Sequence, residues 1–268
     1  MQAIAWINNQ WGDPQNLGIC LSDRGLRLAE GVFETLLIQA GTAQLLDQHL
    51  ERWCRGAQTI GLPQPPDGAW LTNWLAEAIR RSGIVAGALR LNWSQGDGGG
   101  RGLGLAENDA TGRFWATLHA HEPKFQLQST MVSTRVQRWA DSSLRHCKTF
   151  AYGEMALAKR EANQAGYHDA LLLSSAGGLC CGSSANLLVQ RDGRWLTPPL
   201  ASGCLPGVMR GEAINQGLAI ETALGDALTP GEPALLINSL DCKPITAAAL
   251  PLAKPLFETL LQLGRPGA

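Results

Sequence analysis

The sequence lacks the features that mark several large classes of protein. Its formal net charge is −1 over 268 residues, so no excess of basic charge is available to hold nucleic acid or an anionic membrane. No apolar run approaches the roughly 18 residues that a membrane-spanning helix needs. The first residues contain neither the basic nor the apolar segment of a signal peptide. We therefore expect a cytoplasmic protein that binds neither nucleic acid nor membrane.

The cysteines lack the pattern of a disulfide framework or of a zinc module. There are seven of them, an odd number, and no Cys-x-x-Cys motif occurs. His119 and His121 lie close together in the sequence, but no third ligand stands at the spacing of a metal site. The sequence thus predicts reduced thiols, as in a reducing compartment, and no metal centre.

Length and composition suit a folded protein of one large domain or of two smaller ones. Hydrophobic residues make up 45% of the chain and charged residues 17%, which provides enough apolar surface for a sizeable core. Strand and helix patterns occur irregularly in both halves, without a regular βαβ alternation. We predict an α/β (α+β) protein with mixed sheets, with an N-terminal lobe over 1–119, a linker over 120–128 and a C-terminal lobe over 129–268.

Hydrophobic periodicity, glycines and prolines predict the individual elements. A polar turn is expected over 22–25, and Pro206 is expected in the first turn of a helix. The predicted helices are 45–60, 68–82, 153–164, 206–216 and 256–263; the predicted strands include 3–6, 32–38, 88–93, 114–118, 131–136, 170–173 and 186–190.

The glycine-rich segment 96–104 does not match a nucleotide-binding loop. The last glycine of a Gly-x-Gly-x-x-Gly motif is replaced by Arg101 or Leu103, and no Lys-Ser/Thr pair follows. A loop that faces the substrate is the better interpretation. Arg101 and Arg27 are candidates for binding substrate carboxylates, and Phe33 is a further candidate substrate contact.

Lys148 is the lysine with the most distinctive surroundings. Only five lysines occur in the chain, and this one lies between Arg145-His146-Cys147 and an apolar segment that leads into a predicted helix. An amine beside apolar and cationic groups can have a lowered pKa and can act as a Schiff-base nucleophile. A solvated lysine at a helix start is the alternative interpretation.

Five blocks of sequence, in order along the chain, resemble the class IV (fold-type IV) pyridoxal-phosphate enzymes. This family contains branched-chain aminotransferases, D-amino-acid aminotransferases and 4-amino-4-deoxychorismate lyases. The residues KTFAYGEMALAKREA at 148–162 are similar to the segment that carries the cofactor-binding lysine of the family. The other similar blocks are 23–35, 49–52, 182–186 with 205–210, and Asn238-Ser239 near Pro244.

The resemblance implies a fold, a cofactor and a set of site residues. The expected fold is the two-lobed D-amino-acid-aminotransferase-like fold, and the expected protein is a homodimer that acts on a small molecule with pyridoxal 5′-phosphate. Lys148 is implied as the Schiff-base and proton-transfer residue. The implied cofactor contacts are Arg52, Lys148, Tyr152, Cys181, Ser184, Asn186, Gly207, Val208, Met209 and Ser239.

Position 181 departs from the pattern of the family. Its members carry a glutamate that pairs with the pyridine nitrogen, in a Glu-Gly-x-x-x-Asn motif, whereas this chain has Cys181 before Gly182 and Asn186. A carboxylate beside that nitrogen favours the protonated, electron-withdrawing ring, and a thiol offers a weak hydrogen bond at most. Transamination, which places negative charge on the ring, is expected to suffer most.

The resemblance and the departure together favour 4-amino-4-deoxychorismate lyase, which yields 4-aminobenzoate and pyruvate. Chain length and the lysine segment resemble that branch, and aromatisation of the product supplies driving force that transamination lacks. One alternative is an aminotransferase acting on branched-chain or D-amino acids. Another is a protein of this fold that binds cofactor or a metabolite without ordinary catalysis.

Overall fold

The structure, a computed structural model, describes residues 3–98, 102–104 and 112–264. The substrate candidate Arg101 lies outside these described residues. Among the helices that they form, none has both the length and the apolar character needed to cross a bilayer. The chain divides into two compact units, the first made of the residues up to Glu122 with Cys147–Ala151, and the second of Pro123–His146 with the residues from Tyr152 onward.

The first unit is built on an antiparallel sheet of six strands in the order β2-β1-β6-β5-β3-β4. Its strands are β1 (Ile4–Ile7), β2 (Gln10–Gly12), β3 (Gly31–Gln39), β4 (Thr42–Ala43), β5 (Gly87–Ser94) and β6 (Arg113–Ala120). Its helices are α1 (Arg24–Leu28), α2 (Leu46–Thr59) and α3 (Gly68–Ser82).

One face of this sheet packs against α2 and α3 and forms the core of the first unit. Val32, Leu36 and Ile38 of β3 lie in one buried cluster with Trp53 of α2 and Trp74 of α3. Because side chains alternate between the faces of a strand, the odd-numbered residues 33, 35 and 37 point to the other side of the sheet. That second face carries polar and aromatic side chains and is important for the candidate site.

The second unit contains a mixed sheet, which agrees with the predicted fold class. The strands follow the order β12-β11-β10-β9-β8-β7, and β13 pairs with β10 and with β14. The pairs β7–β8 and β11–β12 are parallel and the others are antiparallel. The elements are β7 (Thr130–Arg138), α4 (Gly153–Gln164), β8 (Asp169–Ser174), β9 (Leu179–Gly182), β10 (Asn186–Arg191), β11 (Arg194–Thr197), α5 (Val208–Asn215), β12 (Ala219–Glu221), β13 (Ala234–Ile237), β14 (Cys242–Pro244) and α6 (Leu250–Leu263).

Three local expectations were wrong. The predicted turn at 22–25 leads into the short helix α1, whose first turn is capped by the Asp23 carboxylate through a 2.8 Å bond from the Gly25 amide. Pro206 lies outside α5, since Gly207 is the N-cap. The last helix begins at Leu250, well before 256, although it contains Pro255. A proline inside a helix removes a backbone donor, which is why the sequence pattern favoured a later start.

The boundary at Glu122 falls within the segment 120–128, which was predicted as a linker. The linker role itself stays a prediction. The short segment Cys147–Ala151 packs with the first unit although the residues on both sides of it belong to the second. Lys148 is therefore a residue of the first unit, which a division into two continuous lobes does not convey.

Candidate active site

The segment that carries Lys148 is held against the edge of β3 by backbone hydrogen bonds. The Phe33 amide donates to the Lys148 carbonyl (2.9 Å), and the Phe150 amide donates to the Gly31 carbonyl (3.0 Å). A side chain at position 31 would overlap with the Phe150 ring, so the glycine is required by this close approach. The pairing fixes the backbone of Lys148 relative to β3.

The side chain of Lys148 lies beside Phe33, on the sheet face opposite the helices. Its Nζ is 4.5 Å from the centroid of the Phe33 ring. The Arg90 guanidinium carbon is 3.7 Å from the same centroid, and Arg90 Nε donates to Asn92 Oδ1 (2.8 Å). Asn92 in turn donates to the Trp115 carbonyl (3.3 Å). The first unit thus presents an amine and an oriented guanidinium around one aromatic ring, groups that suit a substrate with a carboxylate.

Behind β3, on the helix side, lies a buried ion cluster of Glu34, His49 and Arg52. Arg52 donates from Nε and from a terminal nitrogen to the two carboxylate oxygens of Glu34, at 2.8 Å and 2.6 Å. His49 Nδ1 is 2.7 Å from the same carboxylate. Burial by itself raises the pKa of Glu34, but the charge of Arg52 and the hydrogen bonds from Arg52 and His49 outweigh it and lower the pKa to about 2.

The histidine of the buried ion cluster is neutral, and only one of its two ring nitrogens contacts Glu34. Burial lowers the pKa of His49, and the positive charges of Arg52 and Lys148 lower it further. The Glu34 carboxylate raises the pKa but does not outweigh these effects. Since the ionised carboxylate can only accept, Nδ1 carries the proton and Nε2 is an acceptor. Among the described residues, Nε2 is buried and meets no hydrogen-bond partner.

The buried ion cluster changes what can be expected of Arg52. Glu34 neutralises its charge and takes two of its five N–H donors, so a phosphate would have to be bound by the others. The sequence analysis assigned a role to Arg52 and none to Glu34 or His49. The available signal was the pair His49 and Arg52, which are three residues apart and therefore on one face of the predicted helix 45–60.

In the second unit, three loops that were predicted to bind the cofactor are tied together by two asparagines. Asn186 donates to the Leu205 carbonyl (2.9 Å), and Asn238 donates to the Ser184 carbonyl (3.3 Å). A Cβ at Gly207 would overlap with the Asn186 side chain, so only glycine allows this approach. Asn186 thus positions the neighbouring loop.

The start of α5 is suited to an anion. Among the residues that the structure describes, no side chain caps this helix, and the first amides of a helix have no partner within it. The partial positive charge of the helix N-terminus adds to these donors. Val208 and Met209 form its first turn and are buried, whereas Ser239 is half-buried and Ser184 is exposed.

Cys181 lies in apolar surroundings. It is 7% exposed and belongs to a buried cluster with Val136, Met155 and Leu172, against which Tyr152 packs. The neighbouring thiol of Cys180 has its pKa raised to about 12, mainly through a hydrogen bond with Cys181.

The structure places the predicted site residues in both units. Arg27 lies exposed on α1, and Phe33 is buried beside Lys148. Arg52 and Lys148 belong to the first unit; Tyr152, Cys181, Ser184, Asn186, Gly207, Val208, Met209 and Ser239 belong to the second. Their roles toward a cofactor stay predictions.

Comparison with known proteins identifies relatives with more than one activity. The family model described as amino-transferase class IV matches residues 31–246. The aminodeoxychorismate lyase of Vibrio harveyi is 24% identical over 258 residues, 92% of each chain. The D-alanine aminotransferase of Bacillus licheniformis is 24% identical over 207 residues, 76% of this chain and 71% of the other. The solved branched-chain aminotransferase of Thermoproteus uzoniensis has a TM-score of 0.82 at 21% identity, covering 98% of this chain and 96% of that one.

Proposed function

The chain belongs to the class IV aminotransferase family, whose members are pyridoxal-phosphate-dependent enzymes, and from this premise we propose that it is a 4-amino-4-deoxychorismate lyase. The reaction releases pyruvate from the substrate and leaves 4-aminobenzoate. The observation that carries the choice is the thiol of Cys181, which lies in a buried apolar cluster.

The residues of the two units fit the chemical groups of the cofactor. A phosphate needs an anion site, and the uncapped start of α5 beside Gly207 supplies backbone donors. Ser184 and Ser239 add hydroxyl donors in the neighbouring loops. An aldehyde needs an amine, and Lys148 presents one next to an aromatic ring.

In the proposed reaction Lys148 moves the proton. When bound, pyridoxal phosphate supplies a conjugated ring that draws electrons from the bonds next to the substrate amine. The amine of Lys148 takes the proton from the ring carbon that bears the substrate amine, and the C–O bond of the neighbouring ring carbon breaks as the substrate ring becomes aromatic. The released enolpyruvate takes up a proton and becomes pyruvate. Arg90, stacked on Phe33 and oriented by Asn92, binds a substrate carboxylate.

Cys181 distinguishes this reaction from transamination. If Cys181 lies beside the pyridine nitrogen, as the resemblance implies, its thiol would offer a weak hydrogen bond at most and would favour protonation of that nitrogen less than a carboxylate does. The cofactor would then supply a weaker electron acceptor. Elimination tolerates this better, because the aromatic product provides part of the driving force.

An aminotransferase is the second candidate. It is favoured by the similarity to the D-alanine aminotransferase of Bacillus licheniformis. For this candidate, Lys148 would move a proton between carbons of an amino acid and the weak ring acceptor would lower the rate. We expect either enzyme to be a cytoplasmic homodimer, and light scattering during size-exclusion chromatography tests the dimer.

The first experiment is an assay of the purified protein with 4-amino-4-deoxychorismate. The formation of 4-aminobenzoate and pyruvate is followed together, with Lys148→Ala as the control. Product formation that requires Lys148 supports the lyase. A visible cofactor band without lyase turnover, accompanied by transfer of amino groups from D-amino or branched-chain amino acids, contradicts it and supports the second candidate.

A further inference from the structure

A buried carboxylate lies beneath the turn that joins β9 to β10. Asp169, the first residue of β8, is 7% exposed. One of its oxygens accepts hydrogen bonds from the Ser183 hydroxyl (2.6 Å) and the Ala170 amide (2.8 Å). Its other oxygen is 3.4 Å from Nζ of Lys159 on α4. A buried carboxylate is stable only with such partners, so this arrangement has a defined geometry.

The turn above Asp169 is short and is held from two sides. Its own backbone closes through a bond from the Gly182 amide to the Ala185 carbonyl (2.9 Å). Asp169 holds the Ser183 side chain from below, and Asn238 holds the Ser184 carbonyl from the neighbouring loop. We refer to residues 182–186 as the cofactor turn, because two of the expected cofactor contacts, Ser184 and Asn186, lie in it.

The contact with Asp169 separates the roles of the two serines. A hydroxyl has one proton, and Ser183 gives its proton to the carboxylate. Ser183 is buried, whereas Ser184 is exposed and is the serine of the turn that can donate to an anion. Lys159 balances the charge of Asp169, so the carboxylate can hold the turn while its repulsion of a nearby phosphate is reduced.

We propose that Asp169 is a positioning residue that, through Ser183, holds the cofactor turn in its phosphate-binding conformation. The proposal rests on the cofactor of the proposed function. A charge-assisted hydrogen bond is stronger and more directional than one between neutral groups. Fixing the turn in advance removes an ordering cost from binding, so its loss is expected to appear in cofactor affinity.

The chain offers a matched control for this contact. Ser133 of β7 donates its hydroxyl to the Glu161 carboxylate of α4, and like Ser183 it is buried. Both contacts are serine–carboxylate bonds in the second unit, but Ser133 does not belong to the cofactor turn. Ser133→Ala therefore removes the same chemistry without touching that turn.

The test measures the dissociation constant and the dissociation rate of the cofactor for each purified holoenzyme, using the visible cofactor band. The melting temperature of each variant is measured in parallel. We expect Ser183→Ala and Asp169→Ala to weaken binding about tenfold or more, and the double variant to be no weaker than either single one. Asp169→Asn, which keeps an acceptor for Ser183, should remain within about threefold of the wild type. Ser133→Ala should lower the melting temperature and leave cofactor affinity unchanged.

Three results would overturn the proposal. If Ser183→Ala binds the cofactor as the wild type does, the contact does not position the turn. If affinity falls in both serine variants in proportion to melting temperature, the contact has only a structural role. A wild-type protein that takes up no cofactor overturns the proposed function and this inference together. A wild-type protein that binds cofactor no better than Ser183→Ala does overturns this inference alone, so the two failures are distinguishable.

Discussion

At the scale of the residue, the buried carboxylate of Glu34 makes a large contribution to the stability of the folded protein. Replacing it by glutamine removes the charge that neutralises Arg52 and leaves a buried cation poorly compensated. We expect Glu34→Gln to lower the free energy of unfolding by about 3 kcal/mol, the range for a broken buried ion pair. The control is Glu51→Gln on α2, the helix that carries Arg52. This variant breaks an exposed pair with Arg55 and should change the free energy of unfolding by less than about 1 kcal/mol. Denaturant titrations measure the free energy of unfolding of both variants, and equal losses in the two would contradict the prediction.

The pH dependence of stability follows from the same carboxylate. The pKa of Glu34 is lowered from 4.5 to about 2 in the folded protein. The unfolded chain therefore binds a proton first, and the contribution of Glu34 is complete above pH 4.5 and is lost as the pH falls toward 2. The wild type should lose stability more steeply than Glu34→Gln over this interval. Parallel curves for the two proteins would contradict the assignment.

Cys181 is the residue at which activity itself is expected to change. In Cys181→Glu, a carboxylate enters an apolar cluster, and this should destabilise the protein without cofactor. If it pairs with the pyridine nitrogen, cofactor should restore that stability and the ratio of transaminase to lyase rate should rise. Cys181→Gln provides a neutral side chain of the same length as the control. Equal rate ratios in the two variants would show that ring protonation is not what position 181 governs.

At the scale of the element, two glycines of α5 and its cap have different environments: Gly207 is the N-cap and Gly211 lies within the helix. Gly207 has φ −66°, which alanine adopts freely, so its restriction comes from contact with Asn186. We expect Gly207→Ala to displace Asn186 from the Leu205 carbonyl and weaken cofactor binding about tenfold. Gly211→Ala is the control because no atom of the described residues lies within 4 Å of its added methyl group, and it should stabilise the helix by up to about 1 kcal/mol. Equilibrium cofactor titration measures both effects.

The elements also show what the sequence could predict. Helix α3 was predicted with its observed bounds from its apolar periodicity and from Gly83, which adopts the left-handed conformation at its end. The structure adds that the Asp67 side chain caps its start. The start of α6 was missed because prolines oppose helix formation locally, and packing of Phe257 and Leu260 in the core outweighs that preference. The resemblance located the Lys148 segment and the cofactor loops. The partners of Arg52 could not be predicted, since Glu34 is brought to it by the pairing of a helix with a distant strand.

At the scale of the whole molecule, the chain passes between the two units three times, on both sides of Cys147–Ala151 and after Glu122. Unfolding of the second unit should therefore free the ends of Cys147–Ala151, a segment that packs with the first unit, and so destabilise the first unit as well. Seven of the nine tryptophans belong to the first unit, so fluorescence reports mainly on it while circular dichroism reports on both. We expect the two probes to give one common unfolding midpoint. Separate midpoints would show that the units unfold independently.

The five residues that return to the first unit also limit how this protein could have been assembled or could be rebuilt. A genetic exchange that replaced the first unit as a continuous stretch would leave behind Lys148 and Phe150, which pair with Gly31 and Phe33. The incoming β3 would then have to accept a foreign lysine segment. Recombination among related genes is therefore expected to succeed only when this short internal segment is inherited from the same parent as β3.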